Sequence, residues 1–408
     1  MKKFLAVVFA LIMMLSVVCV PAFAEEEVFS QEQIEYYKNL GLQGTVLNVY
    51  NWGEYIDDES MDVVSEFERL TGCDVNYTTF ESNENMYSKL SGGGVSYDII
   101  VPSDYMVEKL IEDNMLLKLD YDNIPNYAKY FDNEKYGYLL DGGISDYGVI
   151  YNIGTTILIY NTKLVKEKPT SWKVLWDEQY KGKVLMFNNP RDAFAIAQFV
   201  LGQDLNTTNK ADWDAAAELL MEQRKNVKPE YVMDEVFDKM ESGDYAFATY
   251  YAGDYELMKA NNPDLDFVFP EEGVNYFYDA FCIPSSAQNK KGAEAFINFM
   301  LEPKVALANA EFIYYATPNK AVTENEEYSL INSAAVYPQE VKNSQMFHHL
   351  PQDILQYMND SWMRVKTEND AKNNTVIYIA FFAGIAVIGA VTVVTVVKKK
   401  KKKQAEMV

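Results

Sequence analysis

Histidine is nearly absent: the 408 residues contain two, His348 and His349. A histidine general base could come only from that adjacent pair, whose rings point apart if the chain is extended there. No H-E-x-x-H, G-x-S-x-G, S-x-x-K, Walker or C-x-x-C motif occurs. Gly92-Gly93-Gly94 precedes a strand-like run, whereas a phosphate loop follows one, so it reads as a turn. Carboxylate-pair hydrolysis stays open, but 60 Asp+Glu make such pairs uninformative without geometry. Cysteine is scarce as well. Cys19 lies in the N-terminal apolar run, leaving Cys73 and Cys282, too few for a disulfide framework; spacing does not say whether they pair. Positive charge is outweighed, 36 Lys+Arg giving a formal charge of −24. That balance excludes a protein that tracks a nucleic-acid backbone.

The few basic residues are unevenly placed. Lys2 and Lys3 precede the almost wholly apolar run Phe4 to Val20, and Ala22-Phe23-Ala24 supplies small residues around a cut. Residues 1–24 therefore read as a signal peptide. Thr375 to Val397 is a 23-residue stretch without a charge, followed at once by Lys398 to Lys403. At about 1.5 Å per residue it spans a bilayer core of roughly 30 Å. The lysines mark the cytoplasmic side. The expectation is one C-terminal transmembrane helix over 375–397, a cytoplasmic basic tail over 398–408, and residues 25–374 outside a bacterial cell membrane. Without its two basic ends the chain carries about −31, the −24 of the whole less seven net positive charges. Such an acidic surface keeps an exported protein soluble and attracts cations.

Half of the residues are hydrophobic, enough to bury the cores of two domains. Residues 25–44 are acidic and lack strand periodicity, so they read as a leader or short helix. Alternation then begins: strand Val46 to Tyr50, helix Asp58 to Leu70 stopped by Gly72, strand Val75 to Phe80, a helix capped by Ser82, and strand Asp98 to Val101 closed by Pro102. A helix with Val107, Leu110 and Ile111 inward follows. This order implies a parallel sheet covered by helices. A second set comprises strands Thr155 to Tyr160, Val184 to Phe187, Tyr245 to Tyr251 and Asp279 to Ile283, with helices over Trp213 to Gln223, Asp234 to Met240 and Lys291 to Leu301. Two α/β lobes result, with a cleft at the carboxyl ends of their strands. Lobe 1 is expected over 45–154 with 279–310, and lobe 2 over 155–278 with 311–370.

Aromatic and acidic residues meet at the strand ends. Tyr50-Asn51-Trp52-Gly53-Glu54-Tyr55, Ser103-Asp104-Tyr105, Arg191-Asp192, Tyr250-Tyr251-Ala252-Gly253-Asp254 and Tyr276-Phe277-Tyr278-Asp279 are five such segments. Each alone is more often core than ligand site. Converging on one cleft, they describe a box for an aliphatic polyamine: aromatic faces cover methylene chains and attract cations, and carboxylates pair with ammonium groups.

From about Val46 to about Met363 the sequence resembles the spermidine/putrescine-binding proteins of bacterial ABC transporters. The first strand-end segment above carries the resemblance, with Glu81-Ser82-Asn83-Glu84, Asp98 to Ser103, Ser171 to Gly182 (SWKVLWDEQYKG) and Ala316-Thr317-Pro318-Asn319. It implies a two-lobed α/β fold of the periplasmic-binding-protein type (type II), closing about a hinge. It also implies a non-enzymatic receptor that delivers putrescine or spermidine to a separate permease and ATPase. Carried over by motif, Trp52, Glu54, Tyr55, Ser103 and Tyr105 line the cleft from the first lobe. Asp192, Tyr251, Asp254, Phe277 and Asp279 complete it. Asp254 resembles the putrescine-type branch, Thr317-Pro318-Asn319 the spermidine-type branch, and Asn189 stands where spermidine binders often carry aspartate. One of Gln345, His348 and His349 takes the place of a family glutamine. No cofactor, metal or catalytic residue is expected. Two alternatives remain: a ferric-iron or other small-solute receptor of the same fold, using Tyr250-Tyr251 and Tyr314-Tyr315, and a membrane-anchored hydrolase.

Overall fold

A computed structural model describes residues 28–367. The signal peptide expected over 1–24, the span expected over 375–397 and the basic tail lie outside the described residues. Among those described, no helix is long and apolar enough to cross a membrane.

The acidic leader contains helix α1 (Gln31–Lys38), started by a Ser30/Gln33 capping box. Its Tyr37 hydroxyl donates to Glu302 at 2.8 Å, fastening the leader to the body. Strand β1 (Val46–Trp52) follows, and then α2 (Val63–Thr71). This helix begins five residues later than the sequence pattern predicts. Asp57 is the reason: its carboxylate accepts the Glu59, Ser60 and Met61 amides, holding residues 57–62 in a turn, and Asp62 then caps the helix. β2 (Asp74–Phe80), α3 (Asn83–Ser91), the two-residue β3 (Ile99–Ile100) and α4 (Asp104–Glu112) complete the first alternating set.

β4 (Gly148–Asn161) is longer than the strand expected from Thr155, because residues 148–154 are as apolar and buried as the rest. Its length joins the two halves of the fold. Beyond it come β5 (Val184–Phe187), α5 (Pro190–Leu201), α6 (Lys210–Asn226), β6 (Glu230–Val232), α7 (Val236–Glu241), β7 (Phe247–Tyr251), α8 (Ala252–Asn261), β8 (Leu265–Val268) and β9 (Tyr276–Cys282). Helices α9 (Lys290–Met300) and α10 (Pro303–Ile313) follow, and residues 352–367 are helical.

The first half of the sheet runs β2-β1-β3-β9-β4, with β1 parallel to β2 and β3, and β9 antiparallel to β3 and β4. The C-terminal part of β4 sits between β8 and β7 in the second half, which continues to β5 and β6. Two apolar clusters pack the first half, one with Phe67, Ile99, Phe281 and Phe296 and one with Tyr50, Ile100, Leu110 and Tyr278, and a second core, with Phe187, Phe194, Trp213 and Phe247, underlies the other half. Residues 352–367 return to the second core through Ile354, Met358, Trp362 and Val365.

Residues 316–331, expected with the second lobe, lie instead against the first half, whereas Ser333 donates to Glu256 of α8 and Ala335 joins the second core. Val322 and Tyr328 cover Ala306 and Ala310 of α10, and Ala316 bridges to Ile153. The alanine face of α10 leaves an apolar groove too shallow to bury itself, and this segment fills it. Cys73 and Cys282 are separate, buried free thiols.

Candidate functional site

The site forms where strands of both halves end, and Asp279 lies near its centre. Asp279 sits on β9, opposite Ser103 in an isolated bridge and opposite Asn152 of β4. It is 4% exposed. The Tyr55 hydroxyl donates to its Oδ2 and the Ser103 hydroxyl to its Oδ1, both at 2.6 Å. Both donors are neutral, so they only partly offset burial, which raises the carboxyl to about 6.

A second carboxyl enters from the other half. Asn189 caps α5 and places Asp192 in the first turn of the helix. Asp192 accepts from Asn189 Nδ2 at 2.8 Å and from the Tyr251 hydroxyl at 3.0 Å. Burial lifts it to about 7 against the lowering pull of the Tyr251 hydrogen bond and of Arg191. The third is Asp254, in the first turn of α8, which accepts from the Tyr315 hydroxyl at 3.1 Å and is likewise raised by burial to about 7. Among the described residues none of the three forms an ion pair, and every donor they receive is a hydroxyl or an amide.

Aromatic rings connect them. Tyr251 meets Phe277 edge-on at 5.5 Å, Phe277 lies 6.3 Å from Tyr315, and Tyr315 lies 5.8 Å from Tyr55. Two glycines make room for this wall. A Cβ on Gly154 would stand 2.5 Å from the Phe277 ring, and one on Gly253 2.5 Å from the Tyr315 ring. Trp52 is half-buried, anchored by its indole N–H to the Val101 carbonyl at 2.9 Å. Tyr105 donates to Glu84 at 3.0 Å, and Asn83 donates to both the Tyr105 and the Ser103 hydroxyls. Tyr105 and Tyr251 each pack on the second core and on a first-half cluster, so they stand at the boundary of the halves.

Of the ten residues singled out in the sequence, nine sit at or beside this network. Glu54 stands apart: it is exposed, on a left-handed bend with φ of 49°. Four further contributors stand outside those ten: Asn83 and Glu84, Tyr315, offered by the sequence only as an iron ligand, and Asn189, which donates to Asp192. Glu84 adds negative potential at Asp192. The signal for Asn83 and Glu84 was the Ser82 cap, which fixes them in the first turn of α3 beside a strand end.

The other expectations for this region resolve by geometry. The Gln345 side chain accepts from the Leu205 amide, while His348 and His349 face Glu108 and Glu112 of α4. Three of the four tyrosines weighed as iron ligands are engaged separately: Tyr250 with Asp234, Tyr251 with Asp192, and Tyr315 with Asp254. Burial pushes all three phenols up, away from the phenolate that iron takes.

The sequence profile of the family described as bacterial extracellular solute-binding protein matches residues 62–336. The spermidine/putrescine-binding periplasmic protein of Salmonella typhimurium is 34% identical over 294 residues, 72% of this chain and 83% of its own. The putrescine-binding periplasmic protein PotF of Escherichia coli is 28% identical over 349 residues, 80% of this chain and 93% of its own. Among solved structures, the spermidine/putrescine ABC transporter substrate-binding protein PotD from Streptococcus pneumoniae has a TM-score of 0.66 at 32% identity, covering 79% of this chain and 98% of that chain.

Proposed function

We propose, from the premise that the chain belongs to the bacterial extracellular solute-binding protein family, that it captures putrescine or spermidine for an ABC importer. It is a binding protein and not an enzyme, as are the relatives it matches. One observation carries the polyamine reading: two buried carboxyls and a half-buried third joined by an aromatic wall, with only neutral donors around them. An anionic or neutral solute would leave those carboxyls without counter-charge, whereas ammonium groups supply it and an aliphatic chain covers the rings.

Asp279, Asp192 and Asp254 act as ammonium acceptors. Trp52, Tyr55, Tyr105, Tyr251 and Phe277 enclose the methylenes, and Ser103 orients Asp279. The two lobes close about the crossings made by β4, by residues 268–276 and by the segment near Gln345. The body works on the outer side of the membrane. Residues 375–397 anchor it there with the lysine tail in the cytoplasm, so that captured ligand is handed to a permease and its ATPase at short range.

Calorimetry of residues 25–374 with putrescine and with spermidine tests this. The expected result is one site for at least one of the amines. No heat and no thermal shift with either amine would refute the reading.

A further inference from the structure

Beside the carboxyls that face the cleft lies a second polar group which they do not use. Arg191 is the second residue of α5, one before Asp192, and is 4% exposed. Its guanidinium stacks 4.5 Å over the Phe347 ring and 5.7 Å from the Tyr105 ring. Nη2 donates to Asn206 at 2.8 Å and to the His348 carbonyl at 3.2 Å. Nε and Nη1 have no partner among the described residues.

Asp104 sits across the lobe boundary, between Ser103 and Tyr105, and is 1% exposed. Its Oδ1 accepts the Tyr105 amide at 2.7 Å, while Oδ2 has no partner. The hydroxyl of Tyr278, the neighbour of Asp279, also lacks one. These groups are close enough to act on each other: Arg191 pulls the Asp104 carboxyl down while burial pushes it well up, and Asp104 raises the Tyr278 phenol. Two unused donors, one unused acceptor and one phenol are complementary. Each is costly to bury alone.

The same helix face continues the seam. Asp104, Glu108 and Glu112 recur at i, i+4 and i+8 on α4, forming one stripe toward the second half. Glu108 takes the His348 ring at 2.8 Å and the His349 amide at 2.8 Å, and His349 lies 3.5 Å from Glu112.

We propose that Asp104 and Arg191 are positioning residues which pair, directly or through water, when the lobes close, and so hold the closed cleft on its ligand. This rests on the polyamine reading for its ligand but not for its geometry. Neither residue need touch the amine. Pairing draws the start of α5, and with it Asp192, toward the Ser103–Asp279 side. Ligand affinity then depends on the fraction of molecules that can reach the closed state.

The test uses Asp104→Asn, Arg191→Gln and the double variant in residues 25–374, with stopped-flow binding of putrescine and spermidine and small-angle scattering of the ligand-free protein. Each single variant is expected to speed ligand dissociation about tenfold, to leave association within about twofold, and to enlarge the ligand-free radius of gyration. The double variant is expected to be no worse than the worse single one, because the two residues act as a unit. Arg191→Lys restores charge without the fork and is expected to rescue partly. Unchanged dissociation in a folded variant, or strictly additive losses, would overturn the pairing. If the wild type binds neither amine, the polyamine reading fails by itself. The pairing is then judged on the scattering alone, and equal radii for wild type and variants would overturn it.

Discussion

Lowering the pH from 8 to 6 is the sharpest perturbation of this site, because it titrates the cleft without changing its shape. Burial raises Asp279 to about 6 and Asp192 and Asp254 each to about 7. An ammonium ligand selects the ionised carboxylate, whereas the ligand-free cleft at pH 6 holds two of the three largely as neutral acids. The amines stay charged throughout, since alkylammonium groups titrate near 10. Binding must therefore expel protons, and affinity must fall with pH. A carboxyl at about 7 contributes close to tenfold over this interval, and one at about 6 roughly twofold. If a ligand engages all three, affinity drops about two-hundredfold between pH 8 and 6; a diamine that uses Asp279 and only one of the others loses about twentyfold. The two amines are thus separated by slope as well as by strength. Calorimetry at constant ionic strength, in two buffers of different ionisation enthalpy, gives both the affinity and the number of protons released, about one at pH 7 for three engaged groups. An affinity that moves less than threefold, with heats independent of the buffer, would show that these carboxyls are not the counter-charges.

Four other outcomes follow from the same coordinates. Asp279→Asn is expected to weaken amine binding by more than tenfold, because the ammonium loses a desolvated partner. It should also stabilise the ligand-free protein. The native carboxyl, at about 6, keeps its proton longer than the unfolded chain at about 3.9, so native stability falls as pH rises through that window; above it the substitution recovers up to about 2–3 kcal/mol, read as a higher thermal midpoint at pH 8. Gly253→Ala places a Cβ 2.5 Å from the Tyr315 ring and 2.8 Å from the Tyr314 carbonyl oxygen, so titration should show weaker binding as Tyr315 leaves Asp254, and overpacking should lower the melt. Tyr37→Phe leaves the buried Glu302 short of one donor, costing about 1–3 kcal/mol in denaturant unfolding with no loss of affinity. Removal of residues 375–408 should move the protein from the membrane pellet to the soluble fraction; retention in the pellet would refute the anchor.

Much of the fold was legible because apolar spacing is local. β2, β5 and β7 fall where alternation and apolar runs place them, β9 starts at Tyr276, three residues before the expected Asp279, and Gly72 ends α2 in the left-handed conformation that its position requires. What was not legible depended on side chains reaching across the chain. The start of α2 is set by Asp57 gathering amides, and the pattern of Met61, Val64 and Phe67 carries no trace of it. The length of β4 was hidden because residues 148–154 pair with β9, more than a hundred residues away. The course of residues 316–331 followed from the small side chains of α10, whose composition alone does not say what will cover them.

The site divides in the same way, and for a physical reason. Trp52 and Tyr251 end strands, and Tyr105 and Asp192 stand in the first turns of α4 and α5, where a polar or aromatic residue interrupts an apolar run; Asp279 lies inside β9 and carries the same signal as the one acid in an apolar and aromatic run. Tyr315 interrupts nothing. It follows Tyr314, a non-glycine residue held at φ of 64° as the cap of α10, and that turn aims the Tyr315 hydroxyl at Asp254. Nor does Arg191 differ in sequence from any arginine in the first turn of a helix. Its unused N–H groups become informative only beside Asp104 and Tyr278, which come from other elements. The total charge of −24 was uninformative for the same reason. Buried acids outside the cleft, such as Asp57 and Asp98, are satisfied by backbone amides, whereas Asp279, Asp192 and Asp254 receive only hydroxyl and side-chain amide donors, and that difference is a property of the assembled halves.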